Sequence, residues 1–209
     1  MTKKAEQGDA TRRHLVDAAI ALFTADGYAE TSTTRIVERA GVTRGALYHH
    51  FPDKHRLFEA AYEAVQHDVH DRCARAATEA KEAGHGVIGR MLAGMDAYLT
   101  ACLEAPVQRI LLIEGPLVLG WERSVRFGDP YCARQLLRAS LDGAARRGLL
   151  APGQAEPLAH LLYGALHQAA VALATAADPA AEREAMSRAV ADLVTSRLPA
   201  EAAAGAGTG

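Results

Sequence analysis

The sequence predicts an all-α fold, and three observations lead to that prediction. No segment alternates apolar and polar residues over the length of a strand. Apolar residues instead recur at helical spacing, and prolines stand near the predicted segment starts, where a first-turn proline loses no hydrogen bond. Asp129 before Pro130 and Asp178 before Pro179 are pairs typical of a capped helix start.

These patterns predict nine or ten helices along the chain. Gly84 and Gly86 interrupt the pattern after the fourth helix, and Gly148 ends the helix that closes on Arg147. Residues 199–209 are small and polar enough to form a disordered tail. The predicted helices span residues 10–26, 33–40, 44–50, 54–82, 87–104, 106–113, 116–127, 130–147, 155–176 and 180–198.

The second and third predicted helices are short and separated by a tight turn. Ile36 and Ala40 give the first of the two an apolar face, and the hydroxyl of Thr33 or Thr34 can cap its start. Gly41 ends it, because glycine adopts the left-handed backbone of a helix C-terminus without steric cost. The pair therefore has the pattern of a helix-turn-helix.

The third predicted helix presents a polar face suited to DNA. Thr43 can cap it, and Leu47 turns inward. In a helix-turn-helix, N-terminal residues of the second helix meet base edges, so Arg44 has the forked donors for guanine and Tyr48 can donate to a phosphate. The alternative is an ordinary helical hairpin in a core. The outward positions are Arg44, Gly45, Tyr48 and His49.

Residues 11–63 resemble, motif by motif, the DNA-binding domain of the tetracycline-repressor (TetR) family of transcriptional regulators. The first helix, Arg12 to Asp26, is followed by Gly27 and Tyr28 as in that family, whereas Val37 stands where alanine is more usual. The other matching residues are Ala18, Ala19, Phe23, Thr31 to Ile36, Ala40, Gly41, Val42, Gly45, Leu47, Tyr48, His50, Phe51, Lys54 and Leu57.

The resemblance implies which residues contact DNA. Thr34, Arg35, Arg44, Tyr48, His49 and Lys54 fall where the family makes these contacts. Combined with the local pattern, the predicted DNA-binding residues are Thr33, Thr34, Arg35, Thr43, Arg44, Gly45, Tyr48, His49, His50 and Lys54.

The resemblance also implies two domains. Residues 1–53 would be the three-helix DNA-binding domain, and residues 54–198 a helical ligand-binding and dimerisation domain. A long helix over residues 54–82, roughly 40 Å at about 1.5 Å per residue, would link them. In the family, a ligand tilts this helix and changes the separation of the two DNA-reading heads.

The last two predicted helices have apolar stripes that suit a subunit interface. Two copies of this hairpin would form a four-helix bundle about a two-fold axis, and the DNA target would then be an inverted repeat. The alternative is that the stripes face the chain's own core. The predicted interface residues are Leu162, Leu166, Ala169, Ala170, Leu173, Val190, Leu193 and Val194.

The middle helices are expected to enclose a cavity for a small, apolar or aromatic inducer. The candidates combine apolar bulk with scattered polar groups, although aromatic residues and methionines also fill helical cores. The predicted ligand-binding residues are Met91, Met95, Tyr98, Leu112, Trp121, Phe127, Tyr131 and His167.

Charge is distributed unevenly along a chain whose net charge is −2. Residues 31–56 contain five Lys or Arg and two Asp or Glu, whereas residues 57–209 contain fourteen and eighteen. A basic patch of this size suits specific binding by a dimer, because each neutralised phosphate adds salt-dependent affinity.

Several other classes of protein are disfavoured. Cys73, Cys102 and Cys132 are too widely spaced for a disulfide framework or a metal knuckle, which favours the reducing cytoplasm. No targeting signal stands at the polar N-terminus, and the apolar run 158–177 contains two histidines and a glutamine, so no membrane span is expected.

Enzyme motifs are absent from the sequence. It contains no GxSxG elbow, HExxH pair, phosphate loop or dinucleotide glycine pattern, so we predict neither a catalytic residue nor a cofactor. His67 and Asp71 share a helical face, but two ligands are weak grounds for a metal site.

Two functions remain from the sequence. The first is a dimeric transcriptional repressor that binds a palindromic operator on double-stranded DNA and leaves it when a small-molecule inducer binds. The second is a helical ligand-binding or catalytic protein in which the helix-turn-helix is vestigial. Activation instead of repression is a further outcome that the residues leave open.

Overall fold

The structure, a computed structural model, describes residues 3–120 and 132–198, with side chains from residue 5 onward. These residues form helices and connecting turns without a strand, which confirms the predicted all-α fold. The described helices are α1 (Lys3–Glu30), α2 (Thr33–Ala40), α3 (Arg44–His50), α4 (Lys54–Glu82), α5 (Val87–Ala101), α6 (Val107–Glu114), α7 (Gly115–Val118), α8 (Ala133–Arg146), α9 (Ala155–Thr175) and α10 (Pro179–Arg197).

Two elements differ from their predicted form. The first helix begins at Lys3 and is interrupted at Gly27, whose backbone (φ 83°, ψ 169°) is not helical. The sixth, Val107–Glu114, is a π-helix, a wider and rarer winding that often marks functional sites. The predicted helix 116–127, the start of 130–147 and the tail 199–209 fall wholly or partly outside the described residues.

The N-terminal unit comprises residues 1–67 and 104–126. Its core includes an aromatic cluster, with the Phe58 ring centroid 5.2 Å from that of Phe23 and 5.1 Å from that of Tyr28. Phe58 lies on α4 and is fully buried. The start of α4 therefore packs into the core of this unit.

The C-terminal unit comprises residues 68–103 and 127–209. Within its described part, α5, α8, α9 and α10 pack against one another around Leu99, Leu141 and Leu173. Two partly buried hydrogen bonds join α5 to α10. Asp96 Oδ1 accepts from Arg183 Nη1 at 2.7 Å and from Ser187 Oγ at 2.6 Å.

The predicted subunit-interface stripe is mostly core. Seven of its eight residues are buried within their own chain, because α9 and α10 turn these side chains toward α5 and α8. Of the eight, Leu193 is exposed, and the other seven side chains pack within their own chain. The buried seven are Leu162, Leu166, Ala169, Ala170, Leu173, Val190 and Val194.

Helix α9 is long and apolar enough to cross a membrane by length and composition, with a mean hydropathy of 1.2. In the C-terminal unit it packs against α8 and α10. This packing accounts for the apolar residues on its inner face, whereas Leu161 and Val171 are exposed.

Candidate nucleic-acid interface and ligand cavity

The residue that caps α2 lies one position before the two predicted caps. Ser32, in an extended backbone (φ −92°, ψ 150°), caps the helix because its Oγ accepts from the amide of Arg35 at 3.3 Å. Thr33 and Thr34, the predicted caps, lie instead in the first helical turn. Their hydroxyls are therefore not needed to cap α2.

The turn after α2 has the predicted glycine geometry. Gly41 adopts the left-handed conformation (φ 67°, ψ 31°). Its amide donates to the carbonyl of Glu38 at 3.2 Å, and the amide of Val42 donates to that of Val37 at 3.1 Å. These two bonds satisfy carbonyls at the end of α2 and set the sharp change of direction.

Helix α3 is capped and buried as the sequence predicts. Thr43 is extended (φ −83°, ψ 157°), and its Oγ1 accepts from the amide of Ala46 at 3.2 Å. Leu47 is fully buried, and the amide of Phe51 donates to its carbonyl at 2.8 Å at the helix end. One face of α3 is thus fixed in the core and the opposite face is left to solvent.

The exposed face of α3 carries Arg44, Tyr48 and His49. The guanidinium of Arg44 lies 5.6 Å from the centroid of the Tyr48 ring. Hydrogen bonds from Thr33 and then from Arg44 lower the pKa of the Tyr48 hydroxyl. Because Thr33 belongs to α2, the Tyr48 side chain is held by both helices of the motif. Gly45 is exposed between these side chains and adds no bulk.

The other predicted DNA-binding residues are oriented by neighbouring elements. Arg35 Nη2 lies 2.9 Å from Asp26 Oδ2, and about half of the arginine side chain is exposed. Thr34 is exposed, and His50 is half-buried against the rings of His49 and Phe51. Arg35 and Thr34 are therefore accessible to a binding partner, whereas the His50 ring packs at the end of α3.

Lys54, predicted to contact DNA, is held by backbone carbonyls. Its Nζ donates to the carbonyls of Tyr28 at 2.8 Å, Thr31 at 3.1 Å and Ala29 at 3.4 Å, and lies 4.3 Å from the Tyr28 ring centroid. An ammonium group has three hydrogens, so these carbonyls use its whole donor capacity. Lys54 therefore stabilises the end of α1, and a direct phosphate contact would require breaking those bonds.

The buried carboxylate of Glu114, which no sequence pattern indicated, stabilises the same region. Glu114 Oε2 accepts from the amide of Tyr28 at 2.6 Å, and Oε1 lies 3.0 Å from Arg109 Nε. A Cβ at Gly27 would clash with both of these side chains, and its φ of 83° also favours glycine. The two partners are 86 residues apart, and no local sequence pattern indicates such a pair.

The C-terminal unit contains a cavity of about 580 Å³ between α4, α5, α8 and α9. Of the predicted ligand-binding residues, Met91, Met95 and Tyr98 line it, whereas Leu112 is buried in the N-terminal unit and does not. His167 is not among the lining residues, although its ring lies 6.4 Å from that of Tyr163. Trp121, Phe127 and Tyr131 lie outside the described residues.

Two titratable side chains of the cavity wall, Cys73 and Tyr98, are uncharged at neutral pH. Burial raises the pKa of the Cys73 thiol to about 12, so that side chain stays protonated at neutral pH. Burial, with Tyr163 and Cys102 nearby, also raises the pKa of Tyr98 well above its usual value. The Tyr98 and Tyr163 rings lie 6.2 Å apart, and the Arg134 guanidinium lies 5.3 Å from the Tyr163 ring centroid.

The described residues contain no group of three or more His, Cys, Asp or Glu side chains arranged to hold a metal ion. His67 and Asp71 therefore gain no further ligands there, and the aspartate lies 3.0 Å from His70 Nδ1 instead.

Comparison with known proteins agrees with this division of the chain. Residues 15–61 match the model for bacterial regulatory proteins of the tetR family, and residues 88–196 match the model for the tetracyclin repressor-like C-terminal domain. The first match includes α2 and α3. The second includes α5, α8 and α9, which form walls of the cavity.

Individual relatives give the same result. The regulator TtgR of Pseudomonas putida is 35% identical over 106 residues, covering 50% of this chain and 49% of that protein. The repressor Rv1474c of Mycobacterium tuberculosis is 33% identical over 116 residues, covering 55% and 59%. The chain thus matches about half the length of these relatives.

A solved structure matches along nearly the whole chain. A TetR-family regulator from Pectobacterium atrosepticum is 29% identical with a TM-score of 0.73, covering 95% of this chain and 98% of the other. Family models over both parts of the chain and this structural match agree with the capped α2–α3 motif. The chain therefore belongs to the TetR family of transcriptional regulators, which bind DNA through a helix-turn-helix.

Proposed function

We propose that the protein is a cytoplasmic, homodimeric repressor that binds an inverted-repeat operator and is released by a small molecule. The observation that carries the proposal is the exposed face of α3, where Arg44 and Tyr48 are oriented by packing and by Thr33 before any DNA is present. Orientation before binding reduces the entropy lost on association.

The α3 face divides into two kinds of contact. Arg44 is the first residue of α3, the end that meets base edges in a helix-turn-helix, and its guanidinium can donate two bonds to guanine. Tyr48 lies one turn later with its hydroxyl beside Thr33, a position suited to a phosphate. Arg44 would therefore provide base preference and Tyr48 general affinity.

The outer face of α9 is the better candidate for the subunit interface. Leu161 and Val171 are 71% and 37% exposed, and exposed Gly164 lies between them with no atom within 4 Å of a Cβ built on it. Leu193 on α10 is 48% exposed. Residues 161, 164, 168 and 171 recur at three- and four-residue steps, so they share one helical face that a second copy can cover.

Release by a ligand requires only a difference in affinity between two conformations. A shift from mostly bound to mostly free operator needs about 5 kcal/mol of differential binding. A cavity of about 580 Å³ is large enough for a drug-sized ligand, which can supply energy of that order. The cavity is therefore the proposed inducer site.

Fluorescence anisotropy with labelled duplexes tests the proposal. We expect the protein to bind the DNA upstream of its own gene about a thousandfold more tightly than a scrambled duplex at the same salt concentration. Tyr48→Ala should weaken both complexes similarly. Equal affinity of the unmodified protein for selected fragments and random duplex would instead favour a helical ligand-binding protein with a vestigial helix-turn-helix.

A further inference from the structure

Among the described residues, the charged side chains that line the cavity are all of one sign. Lys81, Arg90, Arg146 and Arg147 contribute to the wall, and no Asp or Glu of residues 3–120 and 132–198 does. This is not a consequence of composition, because residues 57–209 contain fourteen Lys or Arg and eighteen Asp or Glu. The cavity therefore concentrates positive charge in a part of the chain that is acidic on average.

The cations lie toward one end of the cavity. Helix α4 ends just after Lys81, α5 begins just before Arg90, and α8 ends at Arg146. A Cβ on Gly143 of α8 would lie 3.6 Å from Val87 Cγ2, so the end of α8 is next to the start of α5. The exposed side chains of Lys81 and Arg146 make this end accessible to solvent.

The other end of the cavity is buried and apolar. Met95 and Tyr98 lie two and three turns further along α5 than Val87, and Cys73 lies two turns before the end of α4. Leu166 of α9 adds apolar surface there. The cavity thus has a basic, accessible end and an apolar, enclosed end.

Arg90 is the cation whose position calls for an anion. Lys81 and Arg146 lie in the last turns of their helices, where a cation is favoured by the helix dipole. Arg90 is instead the fourth residue of α5, close to the end where the dipole opposes a cation. Its Nε is buried without a hydrogen-bond partner among the described residues, and a buried donor left unsatisfied is destabilising.

Two hydroxyls of the wall do not compete for this role. Thr78 Oγ1 donates to the carbonyl of Ala74 at 2.8 Å, and Ser140 Oγ donates to that of Leu136 at 2.9 Å. Their hydrogens are therefore occupied within their own helices. Arg90, Lys81 and Arg146 are cationic donor groups of the wall.

We propose that the cavity binds an amphipathic anion, with its charged head at Arg90, Lys81 and Arg146 and its apolar body toward Met95 and Tyr98. This deepens the proposed function by giving the chemical class of the inducer, and it adds a charged head group to the apolar or aromatic ligand expected from the sequence. Binding itself does not require DNA, so it can be measured independently of operator affinity.

Two fluorescent probes that differ only in charge test the proposal on the full-length protein. 8-Anilinonaphthalene-1-sulfonate and uncharged N-phenyl-1-naphthylamine share one apolar body, and both fluoresce more strongly in an apolar site. We expect the sulfonate to bind at least about tenfold more tightly, since it alone can accept hydrogen bonds from the charged groups of the wall. Equal affinities would overturn the proposal.

Substitutions locate the charged head. Arg90→Gln should weaken binding of the sulfonate about tenfold and leave the uncharged probe unchanged, whereas Arg188→Gln, on the exposed surface of α10, should change neither. A loss of both probes together, or of neither, in Arg90→Gln would contradict the assignment. Partial unfolding would raise the fluorescence of the sulfonate, so it cannot be mistaken for the expected loss.

Two further measurements locate the apolar body. Ala77→Phe, which adds a ring to the wall, should abolish binding of both probes, with thermal unfolding as a check on folding. Dodecanoate should displace the sulfonate from the unmodified protein, and dodecanol should do so far less. Persistent binding in Ala77→Phe, or equal displacement by the two competitors, would overturn the proposal. If the probes behave as expected and the operator is not recognised, only the repressor function fails.

Discussion

Two basic regions of this chain carry similar side chains in different surroundings. On the α3 face, Arg44 is exposed and contacts the flat ring of Tyr48. In the cavity, Arg90 has a buried Nε and an apolar wall beyond it. An exposed cation is screened by salt and binds best to a polyanion, which presents many charges. An enclosed cation is screened less, and one anionic head group can satisfy it.

Charge alone does not identify the binding partner of either region. The net charge of the chain is −2, and neither region is evident from that value. The shape around each cation decides what binds: a convex helix face fits a groove in DNA, and an enclosed cavity fits a small molecule. Substitutions in one region should therefore leave binding at the other unchanged.

The largest expected effect comes from separating the two subunits. Leu161→Glu combined with Val171→Glu places two charges on the outer face of α9, where neither side chain belongs to the chain's own core. We expect monomers by analytical ultracentrifugation and a loss of operator affinity of about a hundredfold or more, because each half-site would bind alone. Binding of the sulfonate probe should stay unchanged.

Leu117→Glu is the matched control for this double substitution. Leu117 is 79% exposed and belongs to the N-terminal unit, so a charge there should leave the oligomeric state as it is. A dimer that persists in the double variant of α9 would show that the subunits associate through another face.

A smaller loss is expected from Arg44→Ala. Without the guanidinium, the contact with guanine is missing, and specific binding should fall by about tenfold to a hundredfold. Binding to scrambled duplex should fall much less, as anisotropy titrations of the two duplexes can show. Arg188→Ala removes an exposed arginine from α10 and serves as the control. Equal losses on both duplexes would contradict base recognition by Arg44.

Glu114→Gln should lower the stability of the fold more than it lowers DNA binding. The carboxylate is buried and accepts both a backbone amide and the Arg109 side chain, so the neutral amide leaves a weaker pairing. Because Arg109 is partly exposed, we expect a loss of about 1–2 kcal/mol in the free energy of unfolding, measured by denaturant titration. Glu184→Gln, in an exposed pair with Arg188, should cost little. Equal stability of the Glu114→Gln variant and the unmodified protein would contradict the role of this carboxylate.

The helix-turn-helix is predictable from sequence because its determinants are local. Gly41 and Thr43 act within three or four residues of themselves, so their cap and turn geometry follows from residue type. The pairing of Glu114 with the amide of Tyr28 depends on packing between distant segments, and no periodicity indicates it. Lys54 shows the same limit, because its carbonyl partners precede it by 23 to 26 residues.

The C-terminal unit is less predictable for a related reason. Helix α9 has apolar residues on both faces, so its periodicity cannot show which face meets the chain's own core and which meets a second copy. Leu166 proved to be core and Leu161 exposed. A cavity arises where packed helices leave space, and that depends on how four helices meet. Met91, Met95 and Tyr98 could be expected at its wall from their type and spacing, whereas the role of Arg90 required the buried position of its Nε.

The smallest effect on DNA binding is expected from Lys54→Met, which separates the structural role of this lysine from a phosphate contact. Loss of three carbonyl bonds and of the contact with the Tyr28 ring should lower the melting temperature by several degrees. The slope of log affinity against log salt concentration should stay the same, because Lys54 releases no counterion from DNA. A lysine that neutralises a phosphate would instead reduce that slope by about one unit when removed. A reduced slope with an unchanged melting temperature would therefore restore Lys54 to the basic surface that reads DNA.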